Sequence, residues 1–332
     1  MLGHYSTANF IAFLVIIAVF LWIDLHAHKK DEPITLRNAA VWSCIWIALA
    51  LAFGAYIGAT HGLNDMSLYL SGYFLEKSLS VDNLFVMMAI FSSFAIKGPY
   101  QHRVLYYGIL GALILRMVFV AAGTTLVELF GNYALAAFGL FVLWSAWKMW
   151  QEMRKPDEDI EDYSNHWSVR FTRRFLPVST TLNGHDFFVK APSASGALIW
   201  KATPLFLCLV VIELCDVMFA FDSIPAIIAI TQDPFLVYTS NIFAILGLRS
   251  LYFLMAAASN ILAHLEKAVI VILAYIGVKM LLGVSGLVHI PPLVSLAVVL
   301  GLLIAGVVAS LVWPEKKEAP VSENAAAPVD GK

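Results

Sequence analysis

The sequence predicts an all-α polytopic membrane protein of about nine transmembrane helices, N-terminus outside and C-terminus inside, around an inverted 3+3 helix repeat. Three observations carry that prediction. Of 332 residues, 60% are hydrophobic and 13% charged, and the mean hydropathy is +0.80, whereas about a quarter of a soluble domain is charged. Apolar windows of about 20 residues, enough to cross ~30 Å of hydrocarbon, recur along the chain. Two of these windows carry carboxylates at the same spacing, and the residues after them repeat.

The windows fall at 8–25, 38–57, 68–94, 104–123, 132–150, 202–230, 236–258, 268–283 and 292–313. The first lacks a basic leader and a small-residue cleavage site, so it reads as a retained helix and not a signal peptide. Lys29, Lys30 and Arg37 follow window one, Lys97 and Arg103 window three, and Lys267 window seven. The segments after windows two, four, six and eight contain no Lys or Arg. Because basic residues collect on the cytoplasmic side, this alternation sets the orientation. The basic residues show no surface stripe of the kind nucleic acid needs.

Residues 152–201 form the longest connection, read as a cytoplasmic loop. Trp167, Phe171 and Phe175 there suggest a short amphipathic helix, and Phe187 to Gly196 suggests a small hairpin. Residues 314–332 are rich in Pro and Ala and read as a disordered cytoplasmic tail. The expected organisation is two N-terminal helices (1–66), repeat one (67–151), the loop (152–201), repeat two (202–284), a ninth span (285–313) and the tail.

Window six contains Glu213-Leu-Cys-Asp-Val-Met-Phe-Ala-Phe-Asp222-Ser-Ile-Pro225. A carboxylate near the centre of a bilayer costs roughly 2.5–3.5 kcal/mol, so three demand compensation by a cation, a proton or a base. Window three has a weaker copy, Glu76-Lys-Ser-Leu-Ser-Val-Asp82-Asn83. Glu76 and Asp82 are spaced like Asp216 and Asp222. Downstream, Gly108 to Arg116 (GILGALILR) resembles Asn241 to Arg249 (NIFAILGLR), and Lys148-Met149 answers Lys279-Met280. The alternating orientation makes the two units inverted, an architecture of secondary transporters with a site between the repeats.

Residues six apart on a helix are about 9 Å along its axis and 240° around it, so Asp216 and Asp222 cannot share a face, while Glu213 and Asp216 do. Pro225 removes the hydrogen bond to the Phe221 carbonyl and is expected to kink or break the span beside Asp222. Glu76, Asp82, Glu213, Asp216 and Asp222 form the expected metal site. Asn83, Ser223 and Asn241 are supporting oxygen donors, and Lys77, Arg116 and Arg249 are buried bases. An all-oxygen set favours manganese, magnesium or calcium over zinc or copper. A structural network in which Arg116 and Arg249 simply pair with the acids is the competing reading. Lys148 and Lys279 are expected to reach the headgroups. Cys44, Cys208 and Cys215 are expected as buried thiols, with Cys215 as a soft metal ligand the other option.

The acidic motifs, the Thr239 to Arg249 stretch and His185-Asp-Phe-Phe188 resemble the TerC family of prokaryotic integral membrane proteins, particularly its Alx branch. The similarity covers most of residues 10–310. The resemblance implies manganese(II) efflux across the cytoplasmic (inner) membrane and a link to tellurium resistance, and maps the acidic motif positions onto Glu76, Asp82, Glu213, Asp216 and Asp222. The partners expected are a divalent metal ion, protons and the bilayer, with no cofactor; the oligomeric state stays open. An intramembrane enzyme is the weaker class, because no nucleophile, phosphate loop or HExxH accompanies the acids. A partner protein that metallates or assembles other membrane proteins, and an exporter of a small organic amine, remain as alternatives.

Overall fold

The computed structural model describes residues 7–27, 35–154, 184–192, 198–258, 263–288 and 290–313, with isolated positions between 169 and 179. Among them are ten helices and one hairpin: α1 (Thr7–Ala27), α2 (Leu36–His61), α3 (Leu63–Ser93), α4 (Pro99–Phe130), α5 (Asn132–Met153), β1 (Phe188–Pro192), β2 (Leu198–Ala202), α6 (Pro204–Ile230), α7 (Pro234–Ile245), α8 (Leu248–Ala258), α9 (Ala263–Val284) and α10 (Pro292–Val312). Eight of the nine apolar windows lie within one helix each, to within two residues at their ends, and 236–258 is divided between α7 and α8.

Helix boundaries follow local chemistry. Proline opens α4, α6, α7 and α10, where its missing N–H costs nothing. Thr35 caps α2 through its hydroxyl, and Asp233 caps α7 by accepting from Phe235 and Leu236 N–H. Gly62 alone separates α2 from α3 and Gly131 alone separates α4 from α5, both at positive φ (99° and 51°).

Among the described residues, five helices are long and apolar enough to cross a bilayer, and six if α7 and α8 are one span bent by 41°. Those five are α2, α4, α6, α9 and α10, the span in α4 running from Tyr100 and that in α9 from Lys267. The described side chains of α1, Phe10–Phe20, are an apolar run, and α3 carries the charged Glu76, Lys77 and Asp82. The outward faces are apolar, with Ile11, Leu36, Ile114, Leu140, Ile304 and Leu311 exposed. The interior instead holds Glu76, Arg116, Asp216 and Asn241. Apolar outside and charged inside is the distribution a bilayer selects.

α3 packs on α7, α6 packs on α4, and α5 runs along α9. The α5–α9 crossing is close: a Cβ on Gly139 would lie 3.0 Å from Leu281 and 3.5 Å from the Gly277 carbonyl. Reciprocally, one on Gly277 would lie 2.7 Å from Leu143 and 3.2 Å from the Gly139 carbonyl. The cross-pairing makes the two helices antiparallel, with small residues admitting backbone contact.

The hairpin expected around Phe187 is present. β1 pairs antiparallel with β2, Lys190 opposite Trp200. Phe187 packs against Tyr107 of α4 and Phe206 of α6 with the Arg103 guanidinium over its ring, and the His185 ring lies tilted against Tyr100. Thr203 donates to the Asp186 carbonyl at 2.8 Å. The segment therefore ties the first turns of α4 to those of α6. Of the amphipathic helix expected over Trp167–Phe175, only Val169, Arg170, Thr172 and Arg174 are described, and they are helical; Trp167, Phe171, Phe175 and the tail at 314–332 lie outside the described residues.

Three expectations are corrected. The break allowed at Pro225 does not occur: α6 runs from Pro204 to Ile230 with Pro225 inside it, packed on α3, α4 and α5. The break occurs instead at Leu246-Gly247, between α7 and α8. Cys44 is exposed on the outward side of α2, while Cys208 and Cys215 are buried. Lys279 does not extend outward: its ammonium donates to Ser295 Oγ of α10 at 2.7 Å, within 2.9 Å of which lies the Tyr275 hydroxyl.

Candidate functional site

On α4, Gly108, Ala112, Arg116, Val120 and Gly123 recur at steps of three and four residues and are all buried. The period that makes α4 pack thus also carries an arginine inside. Arg116 is 1% exposed and binds residues of three other helices. Its Nη2 and Nε face the two Asp216 oxygens of α6 at 3.1 and 3.5 Å, a two-pronged contact. Its Nη1 donates to Glu76 Oε1 of α3, to Ser223 Oγ of α6 at 3.1 Å and to Asn241 Oδ1 of α7 at 3.4 Å. Glu76 and Asn241 are fully buried and Asp216 nearly so.

The cluster contains two carboxylates and one guanidinium. Glu76 Oε2 and Asn241 Nδ2 are buried without a hydrogen-bond partner. Orphaned polar atoms at such depth are rare in folded interiors and mark a place with capacity for a further ligand or proton.

The other acids are placed separately. Glu213, one turn before Asp216, lies against Gly111 of α4: a Cβ there would fall onto its carboxylate, so glycine provides the seat. Glu213 Oε2 is also buried and unpartnered. Asp222 accepts from Ser145 Oγ of α5 at 2.7 Å, on another face of α6 from Asp216, as the six-residue spacing requires. The Asp82 side chain lies outside the described residues. Asn83 is buried on α3. Among the described residues, no three His, Cys, Asp or Glu side chains converge closely enough to hold a metal ion. Arg116 occupies the centre toward which Glu76 and Asp216 point.

Lys77 is turned from its neighbour Glu76 and donates to the Ala244 carbonyl at 3.1 Å. That carbonyl belongs to the last turn of α7, which lacks its own helical donor because the chain breaks at Gly247. A cation on this C-terminal end also matches the helix dipole. Arg249 is buried just beyond the break. Separately, a cavity of about 290 Å³ lies where α5, α6, α9 and α10 end or begin, lined by Asn132, Ile230, Gln232, Lys279, Gly283 and Pro292.

Sequence reasoning missed Ser145, Gly111 and the role of the Ala244 carbonyl. Ser145 had a signal, being a hydroxyl in an apolar helix facing the level of the acids. Gly111 had only its place five residues before Arg116.

These features define a multi-pass helical membrane protein with a buried arginine–carboxylate cluster in its core. Comparison with known proteins assigns it further: residues 61–318 match the model of the integral membrane protein TerC family, and the chain belongs to that family. It is 45% identical to the tellurium resistance protein TerC of Serratia marcescens, over 95% of this chain and 96% of that one. It is 44% identical to the tellurium resistance protein TerC of Alcaligenes sp, over 97% and 98% respectively. With Alx of Photorhabdus laumondii subsp. laumondii it shares 42% identity over 93% and 95%. No solved structure matches the chain.

Proposed function

We propose that this protein is a secondary transporter, not an enzyme, that exports manganese(II) across the inner membrane in exchange for protons. Its ion site is drawn from Glu76, Asp82, Glu213, Asp216 and Asp222, with Asn83, Ser223 and Asn241 as neutral donors. The observation that carries the reading is the buried oxygen set of Glu76, Asp216, Ser223 and Asn241, contributed by α3, α6 and α7. Carboxylate, hydroxyl and amide oxygens are the donors hard divalent cations take, and ionisable groups at membrane depth mark ion pathways.

On this reading nine spans, counting α7 and α8 together, place the N-terminus outside and divide the core into repeats at 67–151 and 202–284. Reciprocal packing supports the inversion: α3 rests on α7 as α6 rests on α4, and Gly139 and Gly277 exchange leucine contacts across the α5–α9 crossing.

The test is manganese uptake into inside-out vesicles, with and without an imposed pH gradient. Wild type should accumulate the ion in a gradient-dependent way, and Asp216→Asn and Asp222→Asn should lose at least ten-fold of the rate while remaining in the membrane, a loss of about 1.4 kcal/mol or more. Uptake at the wild-type rate by both variants overturns the site. The guanidinium seated between Glu76 and Asp216 favours one second reading, export of a small organic amine. Competition of manganese uptake by a guanidinium compound, or uptake of that compound alone, distinguishes the two.

A further inference from the structure

Arg116 Nη1 stands at the meeting point of three oxygens from three helices: Glu76 Oε1 of α3, Ser223 Oγ of α6 and Asn241 Oδ1 of α7. Its Nη2 and Nε hold both oxygens of Asp216. A structural ion pair needs only the carboxylates. Here the guanidinium also draws on a hydroxyl and an amide carbonyl, so that Nη1 alone meets three oxygens of the kinds a hard cation takes. Glu76 Oε2 is buried beside it with no hydrogen-bond partner among the described residues, an oxygen left for a further cation or proton.

We infer that Arg116 is a tethered competitor for the transported cation: guanidinium and ion hold the same oxygens in turn. This rests on the cation-transport reading above. When the ion arrives, Arg116 leaves Glu76, Ser223, Asn241 and Asp216. When the ion departs, Arg116 returns and the carboxylates are never left as unpaired buried charges, a state that costs several kcal/mol. Because Arg116 is rooted on α4 and its partners on α3, α6 and α7, the exchange also changes what joins α4 to those helices. Occupancy is thereby linked to helix packing. Arg116 is a positioning residue in this scheme, not a ligand of the ion.

Competition has a signature that neither a purely structural nor a purely attractive role shares. A site occupied by its own tethered cation binds the free ion weakly, by the fraction of time it is vacant. Removing the tether should tighten binding while slowing turnover, since nothing then displaces the ion. The experiment measures manganese(II) chloride binding to the purified full chain in detergent, from the paramagnetic resonance signal of the free ion, alongside vesicle uptake. Wild type, Arg116→Gln and Arg116→Lys are compared, with Glu76→Gln and Asp216→Asn as site controls.

The expected result is binding about ten-fold or more tighter in Arg116→Gln than in wild type, with Arg116→Lys between them. Uptake by both should fall below wild type. Equal or weaker binding by Arg116→Gln, while wild type still binds through Glu76 and Asp216, overturns the competition and leaves the transport reading standing. Absence of both binding and uptake in wild type overturns the transport reading and this inference together. Should Arg116→Gln not accumulate in the membrane, Arg116→Lys decides. Its shorter, single-nitrogen head cannot span Glu76 and Asp216 at once, so binding at least three-fold tighter than wild type is expected, and binding no tighter overturns the inference.

Discussion

Two stretches of similar sequence, GILGALILR ending at Arg116 and NIFAILGLR ending at Arg249, fold differently. The first lies inside α4, a continuous helix of 32 residues. The second is split into α7 and α8, bent by 41°. Both contain glycine, but at different places and in different company. Gly111 stays helical and its missing side chain makes room for Glu213. Gly247 adopts φ 83°, and a Cβ there would lie 2.7 Å from the Trp46 ring of α2. A glycine inside a helix thus serves either to seat a neighbour or to end the helix, and the surrounding contacts decide which. The broken copy frees the Ala244 carbonyl, which Lys77 caps; the intact copy sends its arginine to the carboxylates.

This contrast is breakable in graded steps. The largest effect is expected from Arg116→Leu, which strands Glu76 and Asp216 and should lower stability by about 3–5 kcal/mol. Thermal unfolding of the purified protein without metal measures it, and adding Glu76→Gln and Asp216→Asn should restore most of the loss. A loss below about 1 kcal/mol for the single variant would mean that the cluster is not held by its charge pairing. Next, Gly247→Ala combines positive φ with crowding against Trp46 and should cost about 2–4 kcal/mol. A neutral outcome would show that α7 and α8 can join into one helix.

Lys77→Met removes the charged donor at the α7 terminus along with its own buried charge, so a cost of about 1–2 kcal/mol is expected. Faster amide exchange confined to residues 242–248 would be its local sign. Gly111→Ala should be the mildest for stability, about 1 kcal/mol, because the group it meets is the end of a flexible side chain. Its effect should fall on uptake instead, through a displaced Glu213. Equal losses of stability for the two glycine variants would erase the distinction drawn between them.

Much of the architecture was legible because a bilayer enforces simple rules. Apolar windows had to become helices, and all but the one divided at Gly247 became a single helix. The bend at Gly247 was not legible, since the Trp46 ring packed against that glycine is about 200 residues away in sequence and adjacent only after folding. For the same reason the outcome at Pro225 was not legible: its local penalty is real, yet α6 runs through it, packed on three other helices. Glu76, Asp216, Ser223, Asn241 and Arg116 were all singled out by polarity in apolar surroundings. Their arrangement around the guanidinium could not be read, because spacing along α6 fixes which acids share a face but not which helix meets that face.

The α5–α9 crossing finally constrains how such a molecule can move. Leu281 sits on Gly139 and Leu143 on Gly277, with each glycine near the other's carbonyl. Sliding one helix along the other would drive a leucine into a carbonyl, as a tooth meets a tooth. Turning about the contact keeps both leucines seated. The crossing therefore behaves as a pivot pin, and displacement between the bodies it joins should be recorded as an angle that grows with distance from Gly139 and Gly277.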